Sequence, residues 1–146
     1  LLRHLFSQTK ENSFVTVSLI NTSERIKSGN SVTPAFLFAV FLWSALNKRL
    51  SQISKKNKSQ IELMLEASEY VIKQQTQQVM MPRWLSSRVK DIWLMQYQLE
   101  NYNPKKSKAL IRNPRFRMAY DFLVLRSESI DKDLKVKVEY WTNIQK

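Results

Sequence analysis

The chain has no cysteine, one glycine and one histidine among its 146 residues. Without cysteine there are no disulfides and no thiolate chemistry, which agrees with a reducing, cytoplasmic setting. A single glycine argues against an all-β fold, whose tight turns need positive φ again and again. It also removes the glycine-rich phosphate cradles, so there is no Walker or Rossmann loop. His4 stands alone near the start, where a histidine is ordinarily a surface or packing residue, and neither a zinc site nor acid–base catalysis is expected of it. The longest apolar run, Ala35 to Trp43, falls short of the about 20 residues that span a bilayer. Leu1 to Phe6 is likewise too short for the apolar part of a signal peptide. No membrane association is expected. Because the first residue is Leu1 and not Met, the chain is expected to be part of something longer.

What is present is a basic protein able to build a core. An apolar fraction of 43% with 25% charged residues suits one folded domain, and the formal net charge of +12 points to an anionic partner. Nucleic acid, a membrane surface and an acidic protein all qualify.

The prolines sit where helices start. Thr33-Pro34, Asn103-Pro104 and Asn113-Pro114 each place a capping side chain before a proline at the first helical position, and Met81-Pro82 marks a boundary without that cap. The chain therefore reads as all-α, a compact multi-helix bundle. Leu1 to Phe6 reads as a helix end, Phe14 to Ile20 as a short helix, and Asn21 to Glu24 as a capping box. Pro34 to Leu50, apolar all round its first turns, reads as the central helix. Ser51 to Ser59 is a basic linker. Ser59-Gln60-Ile61-Glu62 is a capping box opening a helix to about Met81, with Ile61, Leu65, Ser68 and Ile72 inward. Pro82 to Leu99 repeats Leu85, Val89, Ile92, Gln96 and Leu99 at helical spacing, with Trp93 beside them. Two short helices, Pro104 to Arg112 and Pro114 to about Ser127, precede a last one from Asp131 to Ile144 with Leu134, Val138, Trp141 and Ile144 inward.

Catalytic signals are weak. Asp131-Lys132-Asp133 has the spacing of a metal-binding carboxylate pair, but acids at a helix start complement its dipole, and that plainer reading is preferred. No catalytic or metal-binding residue is assigned. Charge is more informative. Between Arg83 and Arg117 stand Arg83, Arg88, Lys90, Lys105, Lys106, Lys108, Arg112, Arg115 and Arg117, opposed only by Asp91 and Glu100. From Met118 onward the signs balance, and a second acid-free patch is Lys48, Arg49, Lys55, Lys56 and Lys58. Such clustering suits a polyanion-binding face, although a solvated face would look alike in composition. Lys105, Lys108 and Arg112 at i, i+3 and i+7 would share one side of a helix. Arg115 would open the next, where free amides favour phosphate. Trp43, Trp93, Phe116, Tyr120 and Trp141 read as core; Trp84 and Tyr102 could stack on bases or pack.

The run KALIRNPRFRMAYDFLVLR, with RVKDIWLMQ and TPAFLFAVFLW before it and VEYWTNIQ after it, resembles the C-terminal region of bacterial poly(A) polymerases. These are polymerase-β-like nucleotidyltransferases related to CCA-adding enzymes. The resemblance covers about Val32 to Lys146, which it implies is a helical RNA-binding domain, with residues 1–31 as the end of a preceding neck or body region. It implies a helical C-terminal body that holds RNA while a separate head carries the catalysis. The head's glycine-serine motif has no counterpart here, and Asp131-Lys132-Asp133 is read as a helix start and not as the head's metal-binding Asp-x-Asp motif, so no catalytic residue carries over. ATP and magnesium are expected for the full-length enzyme and none for this part. The implied partner is RNA, bound at 3′ ends with little sequence specificity, and proteins of RNA decay are further candidates. The RNA-facing residues are taken as Lys105, Lys106, Lys108, Arg112, Arg115 and Arg117, with Arg83 and Arg88. Gln98, Asn101 and Tyr102 stand where the family is more basic, and the arginine-rich tail that many members carry beyond the last helix is not expected within these 146 residues. The alternative is a basic module that docks an acidic protein.

Overall fold

A computed structural model describes residues 33–78 and 81–146. The expectations placed on residues 1–31, His4 and the Asn21 capping box among them, lie outside these. The described residues form seven α-helices and a 3₁₀ turn: α1 Pro34–Phe41, α2 Trp43–Gln52, α3 Gln60–Gln78, α4 Arg83–Glu100, α5 Ser107–Ile111, α6 Phe116–Ser129, the 3₁₀ turn Lys132–Leu134, and α7 Lys135–Ile144. The all-α reading holds.

Local chemistry accounts for most of the boundaries. Thr33 Oγ1 accepts from the Phe36 amide at 3.3 Å, and Pro34 opens α1. Ser59 and Glu62 exchange both bonds of a capping box, each at 3.2 Å, ahead of α3. The linker before it is shorter than expected, because α2 continues through Gln52. It turns on Asn57, which holds φ at 58°, a conformation asparagine tolerates better than most residues.

The segment expected as one central helix is two. Leu42 takes φ −93° and ψ 0°, ending α1 and starting α2, with no proline or glycine to mark the break. Nearly everything around it is still interior: Phe38, Ala39, Val40, Phe41, Leu42, Trp43 and Leu46 are all buried. The central element is instead α4, against which α1, α3, α6 and α7 pack. Its expected inward residues Leu85, Val89, Ile92, Trp93, Gln96 and Leu99 are all buried. In α3 the expected face is met in part: Ser68 and Ile72 are buried as expected, Ile61 only partly so, and Leu65 is not. Leu65 is 38% exposed while Leu63, Ala67, Val71 and Ile72 go inside. Leu63, Met64 and Leu65 are consecutive and apolar, so periodicity alone admits either register.

Two apolar clusters share α4 and α6. The first gathers α1, α2, α3, Leu85 to Trp93 of α4, and Phe122 and Leu125 of α6. The second gathers Met95 and Leu99 of α4 with Phe116, Ala119 and Leu123 of α6, Leu134, and Trp141 of α7. Fully burying each such leucine or phenylalanine contributes about 1.5–3 kcal/mol. Exposed ion pairs contribute about 0–1 kcal/mol each, so the clusters set the fold. The buried indoles are also satisfied: Trp93 Nε1 donates to Ala39 O at 3.1 Å and Trp141 Nε1 to Leu99 O at 2.8 Å.

Candidate nucleic-acid interface

The basic segment is built on two Asn-Pro turns. Asn103 Oδ1 accepts from the Lys105 amide at 3.0 Å, and Asn103 O accepts from the Lys106 amide at 2.9 Å. Ten residues on the pattern repeats. Asn113 Oδ1 accepts from the Arg115 amide at 2.8 Å, and Asn113 O from the Phe116 amide at 2.9 Å. Each asparagine mimics a backbone turn and each proline presets the first central φ.

Two expectations change as a result. Pro104 and Pro114 lie in turns, not at first helical positions, and the expected helix Pro104 to Arg112 shrinks to Ser107–Ile111. Lys105 and Arg112 therefore flank a single turn of helix, and the i, i+3, i+7 argument for one shared face does not apply. The Arg115 amide is engaged by Asn113, so it is not a free donor for phosphate.

The side chains divide into two groups. Lys105, Lys106, Lys108 and Arg112 are exposed, and none has an acidic partner among the described residues. Arg83 is exposed as well. By contrast, Arg115 lies 3.6 Å from Asp91, and Arg117 lies 3.4 Å from Asp121 while its guanidinium sits 5.4 Å from the Tyr120 ring. Arg88 covers Trp84, its guanidinium 5.1 Å from the ring centroid. Both acids of the Arg83–Arg117 interval are thus engaged. Asp91 pairs with Arg115, and Glu100 takes Arg126 at 3.2 Å.

What holds the basic segment is aromatic. Tyr102 stacks on Tyr140 with centroids 3.7 Å apart and planes 5° from parallel, and meets Trp141 edge-on at 5.8 Å. Ser107, buried at the start of α5, shares a 2.7 Å hydrogen bond with the Tyr140 hydroxyl. Tyr102, considered for base stacking, thus has one face covered by Tyr140. Trp84 stays open to solvent at 52% exposure. Beside Lys106 lies a cavity of about 450 Å³ lined by Tyr97, Asn101, Tyr102, Asn103, Ser107, Leu110, Asn113 and Trp141. Its amide cluster was not anticipated from the sequence, although asparagines and glutamine spaced along Gln98 to Asn113 are visible there. Asp131 Oδ1 accepts from the Asp133 amide at 3.1 Å, so this acid caps the 3₁₀ turn as the plainer reading required.

Residues 48–146 match the family model described as Polymerase A arginine-rich C-terminus. The chain belongs to that family. It is 30% identical over 129 residues to Poly(A) polymerase I of Escherichia coli O157:H7, an alignment covering 87% of the chain and 28% of the relative. Against Poly(A) polymerase I of Salmonella typhi it is 28% identical over 129 residues, with the same 87% and 28% coverage. Against that of Haemophilus influenzae it is 27% identical over 143 residues, covering 93% of the chain and 31% of the relative. The chain thus spans less than a third of the curated relatives it matches. The matched region of the arginine-rich C-terminus family contains α3 to α7 entire, and with them both Asn-Pro turns and the Tyr102–Tyr140 stack. Among the described residues no helix is long and apolar enough to cross a membrane.

Proposed function

We propose that this chain is the RNA-holding helical part of a bacterial poly(A) polymerase, which adds AMP from ATP to RNA 3′ ends in the cytoplasm. Here it grips RNA by its phosphates and presents the 3′ end to a catalytic head outside these residues. ATP and magnesium belong to that head. The described residues offer no group of three histidine, aspartate or glutamate side chains to hold a metal, and no catalytic step is assigned to this chain.

The observation that carries the proposal is the separation of charge. Asp91 and Glu100 are committed to Arg115 and Arg126, which leaves Lys105, Lys106, Lys108 and Arg112 exposed with no acidic partner among the described residues. Contacts of this kind hold a strand without reading its sequence. The cavity beside Lys106 is roomy enough for a base next to a phosphate held there.

The test is binding of the 146-residue chain to a labelled oligoadenylate over a range of salt, wild type against a Lys105→Ala, Lys106→Ala, Lys108→Ala variant. Each lost phosphate contact on a single strand reduces the slope of log K against log salt by about 0.7, so the triple variant should lose about 2. Unchanged affinity and slope would overturn the assignment of RNA binding to this segment. Capture of a single acidic protein that survives nuclease treatment would replace it with docking.

A further inference from the structure

A second basic site lies on another part of the bundle, between α2 and α3. A groove of about 330 Å³ is lined by Lys48, Arg49 and Gln52 from one helix and by Tyr70, Gln74 and Gln75 from the other, with Leu42, Ala45 and Val71 as its apolar lining. Among the described residues no aspartate or glutamate lines it. Arg49 lies over the Tyr70 ring, its guanidinium carbon 3.7 Å from the centroid, so among the described residues the charge is held by a cation–π contact and not by an acid.

Two of the residues lining this groove carry donors that lack acceptors among the described residues. Arg49 Nε and Gln75 Nε2 are both buried from solvent without a hydrogen-bond partner. Gln75 as a residue is only 6% exposed. Buried donors are almost always satisfied, so two orphans lining one groove ask for an acceptor that enters from outside. Two cations, an amide donor and no acid specify that acceptor as an anion. Donors carried on two separate helices suit a group with several acceptor oxygens.

We infer that the groove between α2 and α3 is a phosphate-binding site, with Arg49 and Gln75 as its inner donors and Lys48 at its rim. The phosphate is either a backbone phosphate of an RNA strand or a free phosphate ion. The inference does not depend on the Lys105 segment binding RNA, since the two sites share no residue.

Thermal unfolding of the 146-residue chain in inorganic phosphate, against chloride of matched ionic strength, tests it. Wild type should show a saturable rise in Tm, because a ligand bound only by the native state stabilises it. Gln75→Leu should fold at least as stably as wild type without phosphate, since it removes an unsatisfied amide, and should lose the phosphate response. Arg49→Gln provides a second variant in which that response should also be lost, while the Lys105→Ala, Lys106→Ala, Lys108→Ala protein should keep it. A pentaadenylate that shifts Tm and competes with inorganic phosphate assigns the site to RNA, and one without effect assigns it to free phosphate. Equal Tm in phosphate and chloride would mean that water alone fills the groove and would overturn the inference. So would a phosphate response that survives in both Gln75→Leu and Arg49→Gln.

Discussion

Arg126 Nη1 donates to Gln96 Oε1 across 3.0 Å, deep between α6 and α4. The amide of Gln96 turns its other end to Ile92 O and Ala119 O, each at 3.0 Å, while Arg126 reaches Glu100 and lies 4.6 Å over the Trp43 ring. One polar network therefore ties α2, α4 and α6 together inside an apolar bundle. Gln96→Leu would leave Arg126 with Glu100 as its acceptor and would take the side-chain donor from the Ala119 carbonyl. A loss of about 1.5–3 kcal/mol is expected in urea unfolding, typical of a hydrogen bond to a charged group. Arg126→Met alone should also destabilise, yet the Gln96→Leu, Arg126→Met double variant should fall well short of the summed losses, because the Gln96–Arg126 bond is then lost only once. Strict additivity would contradict the network.

The Ser107–Tyr140 bond anchors the basic segment to α7. Tyr140→Phe keeps the stack on Tyr102 but removes the hydroxyl, which should cost about 1 kcal/mol of stability. Its more telling effect is local. Amide hydrogen exchange from Asn103 to Asn113 should accelerate while α4 stays protected, as expected when a small unit opens independently of the core. Unchanged exchange in that interval would show that the turns hold themselves.

Asp91 restrains the positive charge of the same region. Its pair with Arg115 is half open to water, the two side chains being 43% and 33% exposed, so Asp91→Asn should change stability by less than about 1 kcal/mol. Oligoadenylate binding should nevertheless tighten, and its salt slope should steepen by about 0.7 as Arg115 becomes available for one more phosphate. Weaker binding would indicate that the pair positions Arg115 rather than occupying it.

These relationships differ in how far the sequence reveals them. The Ser59–Glu62 box, the cap at Thr33 and the Leu85 to Leu99 register are local, and residues within four positions of each other encode them. The basic run is also legible, as composition. What it touches is not: Asp91 and Arg115 meet because α4 and α6 pack, and no spacing rule connects them. Arg126 reads as one charge in a balanced tail, yet it is buried; the hint was Gln96, a polar residue in an apolar register. The Asn-Pro pairs misled because an asparagine before a proline suits a helix start and an Asx turn equally well. The break at Leu42 has no local signal at all, since residues on both sides are apolar and go to the interior either way.

Trp84 gives a direct optical test of where a strand runs. Of the four tryptophans, Trp43, Trp93 and Trp141 are buried, whereas Trp84 is 52% exposed and offers a passing base an open indole to stack on. It stands one turn before Arg88 and next to Arg83, at the start of α4. A strand crossing that end should stack a base on it and quench its fluorescence, and Trp84→Phe should abolish the quench. Trp84→Ala should weaken oligoadenylate binding by about 1–3 kcal/mol, the usual worth of one base on one ring. Stacking releases no counterions, so the salt slope should stay where it was in wild type, unlike the Lys105, Lys106 and Lys108 substitutions. If RNA binds without altering the fluorescence, the strand does not pass Trp84, and Arg83 and Arg88 leave the interface with it.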